Sequence, residues 1–206
     1  CRYDFVGSFL RPAEVKKANA DYQEGKISEA EKNQIIDKAV TEVVAKQKEL
    51  GFHVITDGEF RRTYWHLDFM WGFDGVSHTP TKTGLPFHGE AAMIDDTYIT
   101  GKVGVNGIHP FVEHFKFVKQ FEDENTIAKQ TIPAPAQFLE QMILPFAMEN
   151  TKKYYEDTEE LVQDIANEYK VVIQQLYDAG CRCIQLDDCS WGMLVDEKAP
   201  LFFQTD

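Results

Sequence analysis

The chain has 206 residues, 43% of them hydrophobic, which is enough for one sizeable core, and no Ser/Gly/Pro-rich linker divides it, so a single domain over 1–206 is expected. Its formal charge of −13 opposes nucleic-acid and anionic-membrane partners through long-range repulsion and leaves a small-molecule substrate as the expectation. No apolar run approaches the roughly 20 residues of a bilayer span, and Cys1 to Gly7 lack a basic, apolar leader pattern, so a cytoplasmic protein is expected.

In chain order, a first strand is proposed over Tyr3 to Ser8, running into Gly7-Ser8-Phe9. The backbone amides and the Ser8 hydroxyl at such a strand end can bind a carboxylate or phosphate, although an ordinary turn would read the same way. Ser28 with Glu31 three residues later forms a capping box. Ile35, Ile36, Ala39, Val40, Val43 and Val44 then recur at helical spacing, and Gly51 is the expected stop. His53-Val-Ile-Thr56 reads as a buried strand leading into Asp57-Gly58-Glu59, two carboxylates around a glycine that allows a sharp turn. A carboxylate there can neutralise a substrate ammonium; solvated loop acids are the plain alternative.

Residues 60–98 break this rhythm and are rich in aromatic residues, Gly and Pro, which suggests an ordered lid. Within them, Arg61, Arg62, His66 and Asp68 stand in an aromatic setting, and His66 is either a structural hydrogen-bonding residue or one that faces substrate. Further strands are proposed at Ile99 to Val105 and Ile127 to Ile132. A second helix, glycine and strand unit follows, from Asp157 and its capping partner Glu160 through Leu161, Ile165, Tyr169, Val172 and Leu176 to Gly180, then Cys183-Ile-Gln-Leu186 and Asp187-Asp188. Gln185 and Asp187 share one face of that strand, and burying them unpaired would cost several kcal/mol, so partners are required.

Helices alternating with short apolar strands that end in carboxylates imply parallel βα units, in the α/β class. The expectation is a (β/α)8 TIM barrel of which this chain covers about the first five units. Cys1, Cys181, Cys183 and Cys189 are too few for a disulfide framework and read as free thiols; the C-x-C pair alone supplies no complete metal site.

Val6-Gly-Ser-Phe9, Gly51 through Thr56-Asp-Gly-Glu59, Thr131-Ile-Pro133 and Ile184-Gln-Leu-Asp-Asp188, in this order, resemble the cobalamin-independent methionine synthase family. The resemblance is to its catalytic C-terminal barrel and to short bacterial single-barrel members, which share Arg61-Arg62 and Trp65-His-Leu-Asp-Phe69. It implies methyl transfer from a methyl-tetrahydrofolate donor to the zinc-bound thiolate of homocysteine. It also implies that Gly7, Ser8 and Phe9 hold the homocysteine carboxylate, that Glu59 and Asp187 take its ammonium group, and that Asp57 and His66 line the same site. Thr131 and Pro133 fall where the family has a folate-side loop, although Thr-Ile-Pro stands here in place of Thr-Gly-Pro, and Cys189 in place of a proline. The family's zinc ligands, a His-x-Cys motif, a further Glu and a late Cys, have no match, so zinc is expected in the complete protein with ligands beyond Asp206, and this stretch alone is expected to be inactive. Competing readings are a uroporphyrinogen-decarboxylase or corrinoid-type barrel methyltransferase with another thiol or donor, and a barrel glycosidase using two strand-end carboxylates.

Overall fold

The structure, a computed structural model, describes residues 4–82, 85–87, 90–92 and 94–197. In chain order the elements are α1 (Ala13–Gln23), α2 (Glu29–Glu49), β1 (Val54–Ile55), α3 (Leu67–Met70), β2 (Asp74–Thr79), β3 (Leu85–Phe87), β4 (Glu90–Ala92) and β5 (Asp96–Gly104). They continue with α4 (Pro110–Lys119), β6 (Ile127–Ala128), β7 (Gln130–Pro133), α5 (Pro135–Ile143), α6 (Pro145–Tyr154), α7 (Thr158–Asp178), β8 (Ile184–Asp187) and α8 (Trp191–Leu194). The chain forms two compact units, one of residues 1–65, 111–131 and 176–185, the other of 66–110, 132–175 and 186–206.

In the first unit, α2 begins with the expected capping box: the Ser28 hydroxyl accepts from the Glu31 N–H at 3.2 Å, and the Glu31 carboxylate accepts from the Ser28 N–H at 2.8 Å. Its buried stripe is Ile36, Ala39, Val40, Val44 and Gln47, while Ile35 and Val43 lie half-buried at its edge. Gly51, at φ 79°, ends the helix by sending its N–H to the Lys48 carbonyl while Phe52 N–H reaches Gln47, a Schellman closure that needs the left-handed conformation glycine tolerates. Buried Gln47 then joins helix to strand: its Nε2 donates to the Thr56 carbonyl at 2.8 Å and its Oε1 accepts from the Thr56 N–H at 3.0 Å. Both backbone groups of the residue before the Asp-Gly-Glu turn are thereby satisfied inside the protein.

The strand β1 pairs in parallel with β6, Val54 opposite Ile127 and Ile55 opposite Ala128. The strands β7 and β8 also pair, with Gln130 N–H on the Cys183 carbonyl and Ala134 N–H on the Asp187 carbonyl; partners that advance together by four residues are the mark of a parallel register. These pairs correspond to the proposed strands His53 to Thr56, Ile127 to Ile132 and Cys183 to Leu186.

Two strand expectations are corrected. Asp4 to Ser8 form no strand, and Tyr3 lies outside the described residues; the segment is held instead by the Lys129 ammonium on the Asp4 side chain and Phe5 carbonyl, and Gly7, at φ 80°, breaks an extended run. Ile99 to Val105 falls mostly in β5, which pairs antiparallel with β2 in the second unit rather than entering a parallel barrel. Alternating residues cannot distinguish a βα strand from an antiparallel ribbon, since both have a period of two. The described strands make four two-stranded pairs, two of them antiparallel, within a mixed α/β chain.

The second unit is built around Phe69, Phe73, Phe138, Tyr169 and His109, with neighbouring ring centroids 4.5 to 6.4 Å apart. His109 Nε2 lies 3.0 Å from the Phe69 carbonyl, and burial pushes its pKa down to about 4, so the ring is neutral at pH 7. At the start of α7, the Asp157 carboxylate caps Glu159 N–H, while Glu160, expected as its capping partner, pairs with Lys102 at 2.6 Å. No helix among the described residues is long and apolar enough to cross a membrane.

Candidate functional site

The Asp-Gly-Glu turn that follows β1 is the centre of a buried polar network in the first unit. Gly58 sits at φ 65° and Glu59 at φ 60°, the one non-glycine residue in the left-handed region among those described. Such a conformation costs a side-chain-bearing residue on the order of 1 kcal/mol or more, and it persists only where the surroundings impose it. They do so here. Asp57 Oδ1 accepts from the Glu59 N–H at 2.8 Å, Arg11 Nη2 donates to the Glu59 carbonyl at 3.2 Å, and Gly58 gives its carbonyl to the Phe9 N–H at 3.1 Å. A side chain on Gly58 would also meet the Phe9 ring at 3.0 Å.

The turn aims the Glu59 side chain inward, where the residue is 1% exposed. Its Oε1 accepts from Thr131 Oγ1 at 2.9 Å and faces Arg62 Nη1 at 3.2 Å, and its Oε2 accepts from Ser8 Oγ at 2.6 Å. Thr131 comes from β7, Ser8 from the segment before α1, and Arg62 from the chain just past the turn. A buried carboxylate held by one guanidinium and two hydroxyls is fixed in orientation, with the exposed Ser8 on Oε2 and buried groups on Oε1. Such an arrangement can receive a cationic group on Oε2.

The match to known proteins bears on this geometry directly. Residues 4–84, which carry Ser8, Asp57, Glu59 and Arg62, match the family described as cobalamin-independent synthase, catalytic domain. The Bacillus subtilis protein YxjH, itself uncharacterized, is 38% identical over 96% of this chain and 50% of its own length. A Listeria monocytogenes structure provisionally described as a vitamin-B12-independent methionine synthase superposes with a TM-score of 0.74 at 36% identity, over 94% of this chain and 54% of that one. The methionine synthase of Sulfolobus acidocaldarius is 26% identical over 89% of this chain and 50% of its length. The similarity is to the cobalamin-independent synthase family. The chain spans about half the length of the curated relatives above.

Of the residues singled out in the sequence, the first unit brings together Ser8, Phe9, Asp57, Glu59 and Thr131, with half-buried Gly7 beside Ser8 in the chain. Thr131, expected on the donor side, has its hydroxyl engaged here: it donates to Glu59 and accepts from Arg62 Nη2 at 2.7 Å. His66, Pro133 and Asp187 belong to the second unit. There His66 precedes α3, and burial lowers its pKa to about 4, so it is a neutral imidazole at pH 7. Asp187 closes β8 with its carbonyl on Ala134 N–H, and the Pro133 carbonyl accepts from the Tyr169 hydroxyl at 3.0 Å.

Three functional neighbours were not singled out as site residues. Arg62 and Arg11 hold the turn, and buried Lys129 gives its ammonium to Asp4 Oδ2, the Phe5 carbonyl and Gln185 Oε1 at 2.6 to 2.8 Å. Lys129 is the partner that Gln185 required, and a lysine in the middle of an apolar strand run was the available signal. Burial raises the thiol pKa of Cys181 and Cys183, which keeps them protonated at neutral pH, and among the described residues no three His, Cys, Asp or Glu side chains are grouped as a metal site. The described residues therefore do not fit the zinc that the family resemblance implies.

Proposed function

We propose that the protein transfers a methyl group from a methyl-tetrahydrofolate donor to homocysteine, giving methionine, and that the Ser8, Glu59 and Thr131 cluster holds the amino-acid end of homocysteine. The observation that carries this reading is the buried Glu59 carboxylate, fixed on Oε1 by Arg62 and Thr131 and capped on Oε2 by the exposed Ser8, in a chain similar to the cobalamin-independent synthase family. An incoming ammonium group takes the place of Ser8 on Oε2. The freed hydroxyl, with the backbone around Gly7 and Phe9, then turns to the carboxylate of the same ligand. A charge-assisted hydrogen bond of this kind contributes about 1.5–3 kcal/mol, enough to set the orientation of a ligand this small.

Held in this way, the substrate presents its sulfur to the donor. The thiolate's electron pair forms the S–CH3 bond as the N–CH3 bond of the donor breaks, and the folate nitrogen takes a proton. Asp57, Asp187 and His66 are likewise proposed as substrate-binding residues on the strength of the family resemblance, and Thr131 and Pro133 as donor-side residues. A (β/α)8 barrel is the architecture we propose for that protein, supported by the parallel pairing of β1 with β6 and the parallel register of β7 and β8. Its place of action is proposed to be the cytoplasm. Zinc is proposed for the complete protein only, and elemental analysis of the protein as encoded tests it.

The function is tested by incubating the protein as encoded with homocysteine and 5-methyl-tetrahydrofolate and measuring methionine, with coenzyme M offered as an alternative thiol. Methionine formation that falls by about tenfold to a hundredfold in Glu59→Gln is expected. Methylation of coenzyme M in preference to homocysteine would place the protein with the corrinoid-type relatives instead.

A further inference from the structure

Two arginines follow the Asp-Gly-Glu turn and are put to different uses. Arg61 sends Nη2 to Asp37 Oδ1 on α2 at 2.6 Å and lies over the Phe117 ring, a contact at the rim of the unit. Arg62 is turned the other way and is among the largest fully buried side chains. Its guanidinium lies 4.6 Å from the centroid of the Phe111 ring, gives Nη1 to the Trp65 carbonyl at 3.0 Å, and gives Nη2 to the Thr131 carbonyl at 2.6 Å and hydroxyl at 2.7 Å. The ion pair with Glu59 is the remaining contact, on Oε1 rather than on the Oε2 that faces Ser8.

We propose that Arg62 is a positioning residue: it locks Glu59 and Thr131 into one rigid acceptor for the ammonium group of the substrate, and touches no substrate itself. This rests on the reading of Glu59 as the ammonium site. Burying a carboxylate without a cation beside it is costly, so a buried acceptor of this kind needs a positive partner to hold its place. Arg62 supplies that cation from the protein side. Its planar fork also reaches acceptors on two chain segments at once, which fixes the direction in which Oε2 points; a lysine ammonium has the charge but not the fork. Lastly, by occupying Oε1, it leaves Oε2 to Ser8 and, once that hydroxyl is displaced, to the ligand, so the guanidinium orients the site without competing for that oxygen.

The test compares homocysteine with 4-mercaptobutanoate, which keeps the thiol and the carboxylate but has no amine, by calorimetric titration of the protein as encoded. Arg62→Gln is expected to weaken homocysteine binding by about thirtyfold while changing 4-mercaptobutanoate binding by less than about threefold, the scale of one charge-assisted contact. Arg62→Lys is expected to show the same ligand-selective loss at smaller size, about fivefold, and carries the test should Arg62→Gln fail to fold. Arg61→Gln should leave both affinities unchanged. Equal losses for the two ligands would mean that Arg62 only holds the fold, and unchanged affinities would mean that it is idle; either overturns the proposal. Wild-type protein that binds neither ligand would overturn the reading of Glu59 itself, and would do so before any variant is made.

Discussion

Glu59 lies in a backbone conformation that its own sequence disfavours, and the residues that hold it there come from distant positions. Ser8 is 51 residues away and Thr131 is 72. Ser8, Asp57 and Glu59 were legible because short polar residues at the end of an apolar run are exposed to pattern reading. Arg62 and Lys129 were not assigned to the site, because a buried cation is defined by acceptors that only the fold brings near; Arg62 meets Thr131 across 69 positions. The same is true of Gln47, which looks like one more polar residue on a helix. Gln47→Ala would leave the N–H and carbonyl of Thr56 buried without partners, a loss of roughly 2–4 kcal/mol that urea denaturation would register as a lower midpoint. Histidine gives a second prediction. Burial holds His66 and His109 at about 4, below the ordinary value of 6.5, so the unfolded chain binds more protons than the folded one between those limits. Stability is therefore full above about pH 6.5 and is lost as pH falls toward 4, by up to about 3 kcal/mol for each ring. The melting temperature followed from pH 7 to 4.5 should fall accordingly, and fall less in His109→Gln, which keeps a donor for the Phe69 carbonyl but cannot titrate.

The helices were the most legible elements, since their ends are written in a few adjacent residues. Ser28 with Glu31, Gly51 and Gly180 mark starts and stops that the structure places where expected. Ser28→Ala should cost about 1 kcal/mol of stability in the same denaturation measurement and leave ligand binding intact, because the cap lies at the far end of α2 from the Thr56 linkage. Strands were harder. The run through Ile99 to Val105 has the composition of a barrel strand, yet it pairs antiparallel with β2, a choice made by partner and turn rather than by its own pattern. The strand proposed over Tyr3 to Ser8 fails for a different reason: in its described part, Asp4 to Ser8, the Phe5 ring packs against Phe9 at 4.3 Å and Phe52 at 4.1 Å, and the segment joins no ladder. Ile127 to Ile132 is split into β6 and β7 at Lys129, whose buried ammonium anchors the segment before α1.

At the scale of the molecule, the similarity to the cobalamin-independent synthase family and the polar network of the first unit both support the proposed chemistry. The family similarity accounts for the thiol substrate and the methyl transfer proposed; the geometry accounts for how an amino acid would be gripped, through a carboxylate fixed on one oxygen by Arg62 and Thr131 and capped on the other by a serine. The central claim is that Glu59 receives the ammonium group of homocysteine. It is tested most directly by calorimetric titration of homocysteine into the protein as encoded and into Glu59→Gln. The account predicts saturable binding by the wild type and a loss of about tenfold to a hundredfold in the variant. Equal affinity in the two proteins would contradict it.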